Sequence, residues 1–401
     1  MILNQKIRLN LLILLTTVGL LACNNSVASN DPKNESNASW MAGTWGVTQR
    51  VDGGYKLDKS ASSSDWQAGA NEIVANIPAA KYVITSFTHP AHAYLFTLRT
   101  NNNVDVAAIH PDMVPTLANE QIIFDVINIY RDAGKKVILY LNAAGPSMAA
   151  ERGDPEIQAA WESYYKTQWN GDEAAAWRNL VLGYAQRFDG LVDGYWLDNA
   201  SNLPGDIGDF IDMLHSVDPN LTIAVNKSKA YFTDDEGTFL YVDSDGVSDK
   251  DEKDYKIIKH IPVNAYGDFT AGHVTPLGQG APPNSWGYEE YTLPDMAETP
   301  WATYADSEKS VLKHAWFPIR NSWSGHTAKL VFDTEQAYRF VRTITDGGAA
   351  MTWSTTQSKG YMPDAELAIM AEISDRMMQN SKPDYEQYER PEGAYLVGEN
   401  E

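Results

Sequence analysis

From Trp45 to Asn380, short apolar runs that read as strands alternate with stretches of helical spacing, and this alternation constrains the fold more than any other feature. It is the signature of repeated βαβ units. Strands are expected at Trp45–Thr48, Lys81–Phe87, Lys136–Asn142, Gly194–Asp198, Leu221–Asn226, Phe239–Asp243, Pro262–Tyr266, His314–Pro318 and Gly348–Trp353. Helices are expected at Asp65–Asn76, Asn119–Ala133, Ala174–Phe188, Asp206–Ser216 and Asp364–Asn380, the second of them stopped by Gly134. That many units predicts an α/β fold, a (β/α)8 TIM-like barrel. Several runs end in polar or aromatic residues: Thr88-His89, Asn142, Asp198-Asn199, Asn226-Lys227 and Trp353. In a barrel such C-terminal strand ends line the active site. A doubly wound sheet is the runner-up, but it normally carries a Gly-rich phosphate loop, and none is present.

The first residues read as targeting rather than fold. Lys6 and Arg8 precede a short apolar run, Leu11 to Leu21, and Leu20-Leu21-Ala22-Cys23 reads as a lipobox, the cleavage site before an acylated cysteine. Cys23 is the only cysteine, so its acylation leaves no disulfide, thiolate metal site or cysteine nucleophile. The expected organisation is a lipoprotein signal peptide at 1–22, an Asn- and Ser-rich tether at 23–37, the barrel at 38–385 and a tail at 386–401. This places the protein on the bacterial cell envelope, on the outer membrane, or secreted, with the lipid as its sole membrane contact. The formal charge of −22 argues against a nucleic-acid partner, which needs clustered Lys and Arg.

Asp198 is the first residue that chemistry singles out, because it ends the apolar strand GYWLD. A carboxylate there can serve as the nucleophile of a retaining glycosidase. It can equally be a helix N-cap, with Asn199 and Ser201 following, and both readings stay open. His89 and His92 stand three apart, but nothing nearby completes a metal site with them. The acidic stretch from Asp243 places Asp254 at the position where an EF-hand has its glutamate, so no such site is expected. No metal and no cofactor are expected.

From Tyr184 to Lys229 the chain resembles the α-L-fucosidases of glycoside hydrolase family 29 and the related endo-fucanases. Trp196-Leu197-Asp198 falls on the family's nucleophile strand, His215-Ser216-Val217-Asp218-Pro219 on its turn, and Asn226 on the end of the next strand. Ala80 to His92 (AKYVITSFTHPAH) is similar to its histidine-bearing strand, Asn284 to Tyr288 (NSWGY) to its SWGY loop, and Thr345 to Asn380 to its last βα unit. Two departures stand out. The usual C-terminal β-sandwich is missing, and Gly267 to Pro276 lacks the glutamate that serves many members as acid/base.

The resemblance implies a retaining hydrolase of α-L-fucosidic linkages in a fucose-containing, sulfated polysaccharide, with Asp198 as nucleophile. His273 then stands as the proton donor, with Glu289 and Glu290 competing. His89, His92, Asn226, Trp286, Tyr288, Trp353 and Lys227 are the expected substrate-binding residues, and Arg99, Lys227 and Lys229 offer charges for sulfate. Two alternatives remain: a hydrolase of another α-linked sugar in a carrageenan-type galactan, and an inactive glycan-binding lipoprotein, which the missing glutamate favours.

Overall fold

Each core strand shows two faces, and each face packs into a different cluster. The computed structural model describes residues 36–51, 62–86, 100–101, 104–114, 117–226, 231–233, 239–241, 262, 264–272, 289, 292–304, 307–323 and 325–383. Its main strands are β1 (Trp45–Arg50), β2 (Tyr82–Ser86), β3 (Lys136–Asn142), β4 (Gly194–Asp198), β5 (Thr222–Val225), β6 (Phe269–Thr270), β7 (Trp301–Thr303), β8 (Ser310–Leu312), β9 (His314–Pro318) and β10 (Ala350–Ser354). Val137, Leu139 and Leu141 of β3, Tyr195 and Leu197 of β4, and Met351 and Trp353 of β10 join one large apolar cluster with the helices. Ile138, Trp196 and Ala350, from the alternate positions, join a smaller cluster on the opposite face. This is the two-residue period of a strand, with both faces buried as a parallel sheet requires.

These strands form one ten-stranded sheet in the order β7-β8-β6-β5-β4-β3-β2-β1-β10-β9. Every pairing is parallel except β7 with β8. β8 and β9 are two halves of the stretch 310–318, interrupted at Lys313. One half pairs with β6, through Phe269 and Leu312, and the other with β10. The Trp316 amide also donates to the Gly272 carbonyl at 2.7 Å. The two sides of the sheet are therefore joined through one piece of chain.

The helices α1 (Ser63–Asn76), α2 (Leu117–Asp132), α3 (Pro155–Gln168), α4 (Glu173–Arg187), α5 (Ile207–His215), α6 (Leu293–Glu298), α7 (Thr334–Asp346) and α8 (Asp364–Met378) complete the α/β architecture. Their starts follow local chemistry. Ser62 and Asp65 form a capping box on α1, and Asp172, Asp206 and Asp333 accept backbone N–H bonds at the starts of α4, α5 and α7. Gly134, at φ +74, follows α2 as expected. Helices α3, α6 and α7 are not legible in the sequence reading.

The inner face is plugged below the site by the chain that leads into β1. Ala38 and Met41 join the inner cluster, Trp40 Nε1 donates to Thr222 Oγ1 at 2.8 Å, and Asn37 Nδ2 donates to the Pro219 carbonyl at 2.9 Å. Ser36 is already buried and donates to the Asp268 carbonyl. Ser36 and Asn37, expected to belong to the tether, are docked residues instead. Gly46 leaves space here, since a Cβ would meet the Tyr82 ring at 2.5 Å.

Two expected strands are corrected. Asn264 to Tyr266 forms a bend instead of a strand, because Asn264 Oδ1 accepts the Tyr266 and Gly267 amides at 2.8 and 2.9 Å. The strand of that unit is β6, a few residues later. Phe239–Tyr241 pairs antiparallel with Tyr231–Thr233, outside the main sheet.

Candidate active site

The site grows from the end of β4. Tyr195 and Leu197 pack toward the helices, so Trp196 and Asp198 face the other way. The chain is pinned there, with the Ala143 amide donating to the Asp198 carbonyl at 2.8 Å and the Asn226 amide to Leu197 at 2.7 Å. Asn199 then turns into the left-handed region, φ +52, a conformation asparagine tolerates better than most residues.

Three side chains converge on the Asp198 carboxylate. Asn226 Nδ2 donates to Oδ1 at 2.8 Å. The Tyr140 hydroxyl donates to Oδ2, and Asn199 Nδ2 reaches the same oxygen at 3.3 Å. Asp198 makes no helix cap. The turn at Ala200–Asn202 has no side-chain cap, and Asp206 caps α5. Three convergent donors leave the carboxylate little freedom to turn, so it is held in one orientation.

Above it lies a cavity of about 250 Å3, lined by inward positions of several strands. One wall is aromatic. Tyr140 stacks on Trp196 at 5.3 Å and 18°, Trp316 meets Trp196 edge-on at 4.5 Å, and Trp323 meets Trp316 at 5.8 Å. Thr48, Arg50, Ser86 and Ser354 supply hydroxyls and a guanidinium. Flat apolar faces beside convergent polar groups suit a sugar ring, which has a C–H face and a hydroxyl edge.

The loop that carries Trp323 is braced from behind. Arg320 pairs through Nε with the fully buried Glu366, and Glu366 also accepts the Thr356 amide at 2.7 Å. Asn321 and Val331 donate backbone bonds across the same loop, to Lys329 and Ile319. Arg50 Nη1 reaches the Trp323 carbonyl at 3.5 Å.

Of the expected site residues, Asp198 and Asn226 are brought together. Asn226 is 5% exposed and acts on the site through Asp198. Trp353 is a correction: it is fully buried in the outer core against Phe317, Phe332 and Phe340, where a sugar does not reach it. Glu289 is held by Gln336 Nε2 of α7 at 2.6 Å, and burial pushes its carboxyl up to about 7; it does not line the cavity. His89, His92, Lys227, His273, Trp286, Tyr288 and Glu290 lie outside the described residues, as do Cys23, Arg99 and Lys229. Tyr140, Arg50, Trp316 and Trp323 were missed. For the strand residues among them the available signal was parity: Arg50, Tyr140 and Trp316 occupy positions that alternate with the outward apolar residues.

An oriented carboxylate at a strand end, under an aromatic-walled cavity in an α/β fold, is the layout of a glycoside hydrolase. Residues 35–400 match the family model described as endo-α(1,4)-fucoidanase Mef1. The endo-fucoidan hydrolase P5AFcnA, from glycoside hydrolase family 107, is 75% identical, with TM-score 0.81 over 90% of this chain and 98% of that one. The chain belongs to this family of glycoside hydrolases. A second family 107 structure, the endo-fucoidan hydrolase MfFcnA9, is 16% identical with TM-score 0.64, covering 86% of this chain and 64% of its own. The α-L-fucosidase isoenzyme 1 from Paenibacillus thiaminolyticus shares the fold at 13% identity and TM-score 0.50, over 86% of this chain and 76% of its own. No curated protein sequence matches.

Proposed function

We propose that the chain is a retaining, endo-acting hydrolase of α-L-fucosidic linkages in sulfated fucoidan, working through a glycosyl-Asp198 intermediate. The observation that carries the reading is the Asp198 carboxylate, held and aimed by Tyr140, Asn226 and Asn199 at the floor of an aromatic-walled cavity. Endo action is supported by the relatives, which are named endo-fucoidan hydrolases. The frame is a (β/α)8 barrel in which β1 to β6, the stretch 310–318 and β10 supply the eight parallel staves, with Asp198 at a C-terminal end.

In the first step Asp198 attacks the anomeric carbon, the glycosidic C–O bond breaks, and an acid protonates the departing oxygen. His273 is that acid in this reading. In the sequence it comes directly after Gly272, at the end of the β6 segment; a retaining pair needs its second group roughly 5 Å from the nucleophile. Water then attacks the anomeric carbon from the vacated side, the ester bond to Asp198 breaks, and His273 takes the water's proton. Arg50 on the polar wall is suited to a sulfate ester of the polymer.

The test follows the anomeric proton of the first product during digestion of fucoidan by NMR, with product size read in parallel. Retained configuration with large early fragments is expected; inverted product overturns the reading. The lipobox supports an envelope anchor. Cys23→Ser is expected to move the protein from the membrane to the soluble fraction, and equal membrane retention of both forms contradicts the anchor.

A further inference from the structure

The two oxygens of Asp198 are not equivalent. Oδ1 takes the Asn226 amide at 2.8 Å, and Asn226 is buried and not among the described residues that line the cavity. Oδ2 takes the Tyr140 hydroxyl and, at 3.3 Å, the Asn199 amide. Tyr140 and Asn199 both line the cavity. Oδ2 is therefore the oxygen presented to a substrate, and Oδ1 is the one turned into the protein.

Tyr140 has little freedom to move its hydroxyl elsewhere. Its ring stacks on Trp196, its neighbour in the register of β3 and β4, and its edge is met by Trp316 at 6.4 Å. The tyrosine is thus a fixed donor on the attacking atom.

We propose that Tyr140 is a second catalytic residue, whose O–H bond to Asp198 Oδ2 accelerates release of the glycosyl group from the enzyme rather than its attachment. The inference rests on the retaining reading above. In the attachment step a bond forms between Oδ2 and the anomeric carbon, the bond to the leaving sugar oxygen breaks, and the enzyme's acid protonates that oxygen. Negative charge leaves Oδ2, so the tyrosine bond is weaker in the transition state than in the ground state. In the release step water bonds to the anomeric carbon, the Oδ2–carbon bond breaks, its electron pair returns to Oδ2, and the enzyme's base takes the water's proton. Charge now grows on Oδ2, and the tyrosine bond strengthens as the barrier is climbed. Only interactions that are stronger in the transition state accelerate a step, so Tyr140 assists release. Loss of one such preorganised donor typically slows a step by about 10²–10³-fold.

Tyr140→Phe keeps the ring and its stack and removes only the donor. The full chain is mixed with a sulfated fuco-oligosaccharide tagged at its reducing end. The tagged product is followed in the first turnover, and enzyme mass is read on quenched samples. The expected result is a burst of tagged product close to one per enzyme, then a steady rate lower by about 10²-fold, with a glycosyl adduct on Asp198. A variant turning over within three-fold of wild type without adduct overturns the proposal. So does a slow variant with neither burst nor adduct, because its attachment step would then be the one impaired. Inverted product from the wild type would sink the retaining reading itself; retained product with no burst in the variant sinks only the role of Tyr140.

Discussion

The inward and outward faces of the same strands do different jobs. Outward residues are large and apolar and fill the layer under the helices, as Trp353 does at 4.9 Å from Phe332 and 6.2 Å from Phe340. Inward residues pack against the plug at one end, as Tyr82 does against Trp40, and become aromatic and polar at the cavity: Thr48 and Arg50 along β1, and Tyr140 along β3. A tryptophan's role is therefore set by its parity. Trp353 and Trp316 lie on neighbouring strands, and Trp316 pairs in register with Thr352, the residue before Trp353. Trp316 walls the cavity; Trp353 is packing.

Cutting each face separately sharpens this contrast. Trp353→Ala should cost about 3–5 kcal/mol of stability, the usual loss for a large aromatic removed from a core, seen as a lower denaturant midpoint. Trp323→Ala, on the cavity wall and half-exposed, should leave that midpoint nearly unchanged and raise KM on fucoidan. The contrast breaks if the two variants unfold at the same denaturant concentration.

Arg50→Met should weaken use of sulfated fucoidan by about tenfold, in the range of one lost charge-assisted hydrogen bond. Desulfated polymer should be affected less, and an equal loss on both would remove the sulfate contact. The smallest effect concerns Glu289. Burial raises its carboxyl from 4.5 to about 7 in the folded chain, so the folded state holds this proton more tightly than the unfolded one. The contribution is full below about 4.5 and is lost as pH rises toward about 7. Glu289→Gln should flatten that slope in Tm against pH, leaving the variant relatively more stable near neutrality; parallel curves would count against it.

Much of this was legible in advance. The strands at Lys136–Asn142, Gly194–Asp198 and His314–Pro318 lie where alternation and apolar runs put them. β6 was missed because two residues carry no readable period, and the apolar run before it is turned by Asn264. Asp198 was found because a charge at the end of an apolar run is conspicuous. Tyr140 was not, because in KVILYLN it reads as one more apolar residue and its hydroxyl gains meaning only once β3 lies beside β4. In the sequence Trp353 reads as the last residue of its strand; the strand runs on to Ser354, and that serine is the one at the cavity.

The central claim is that Asp198 is the nucleophile, and nearly isosteric replacement tests it most directly. Turnover of fucoidan by Asp198→Asn is to be measured alongside its thermal unfolding, with Asp198→Gly assayed with and without added azide. The account predicts for Asp198→Asn an unchanged melting temperature and activity below about a hundredth of wild type, and for Asp198→Gly partial recovery in azide, which fits the space the side chain has left. Activity above that level, in a variant that melts like the wild type, would contradict it.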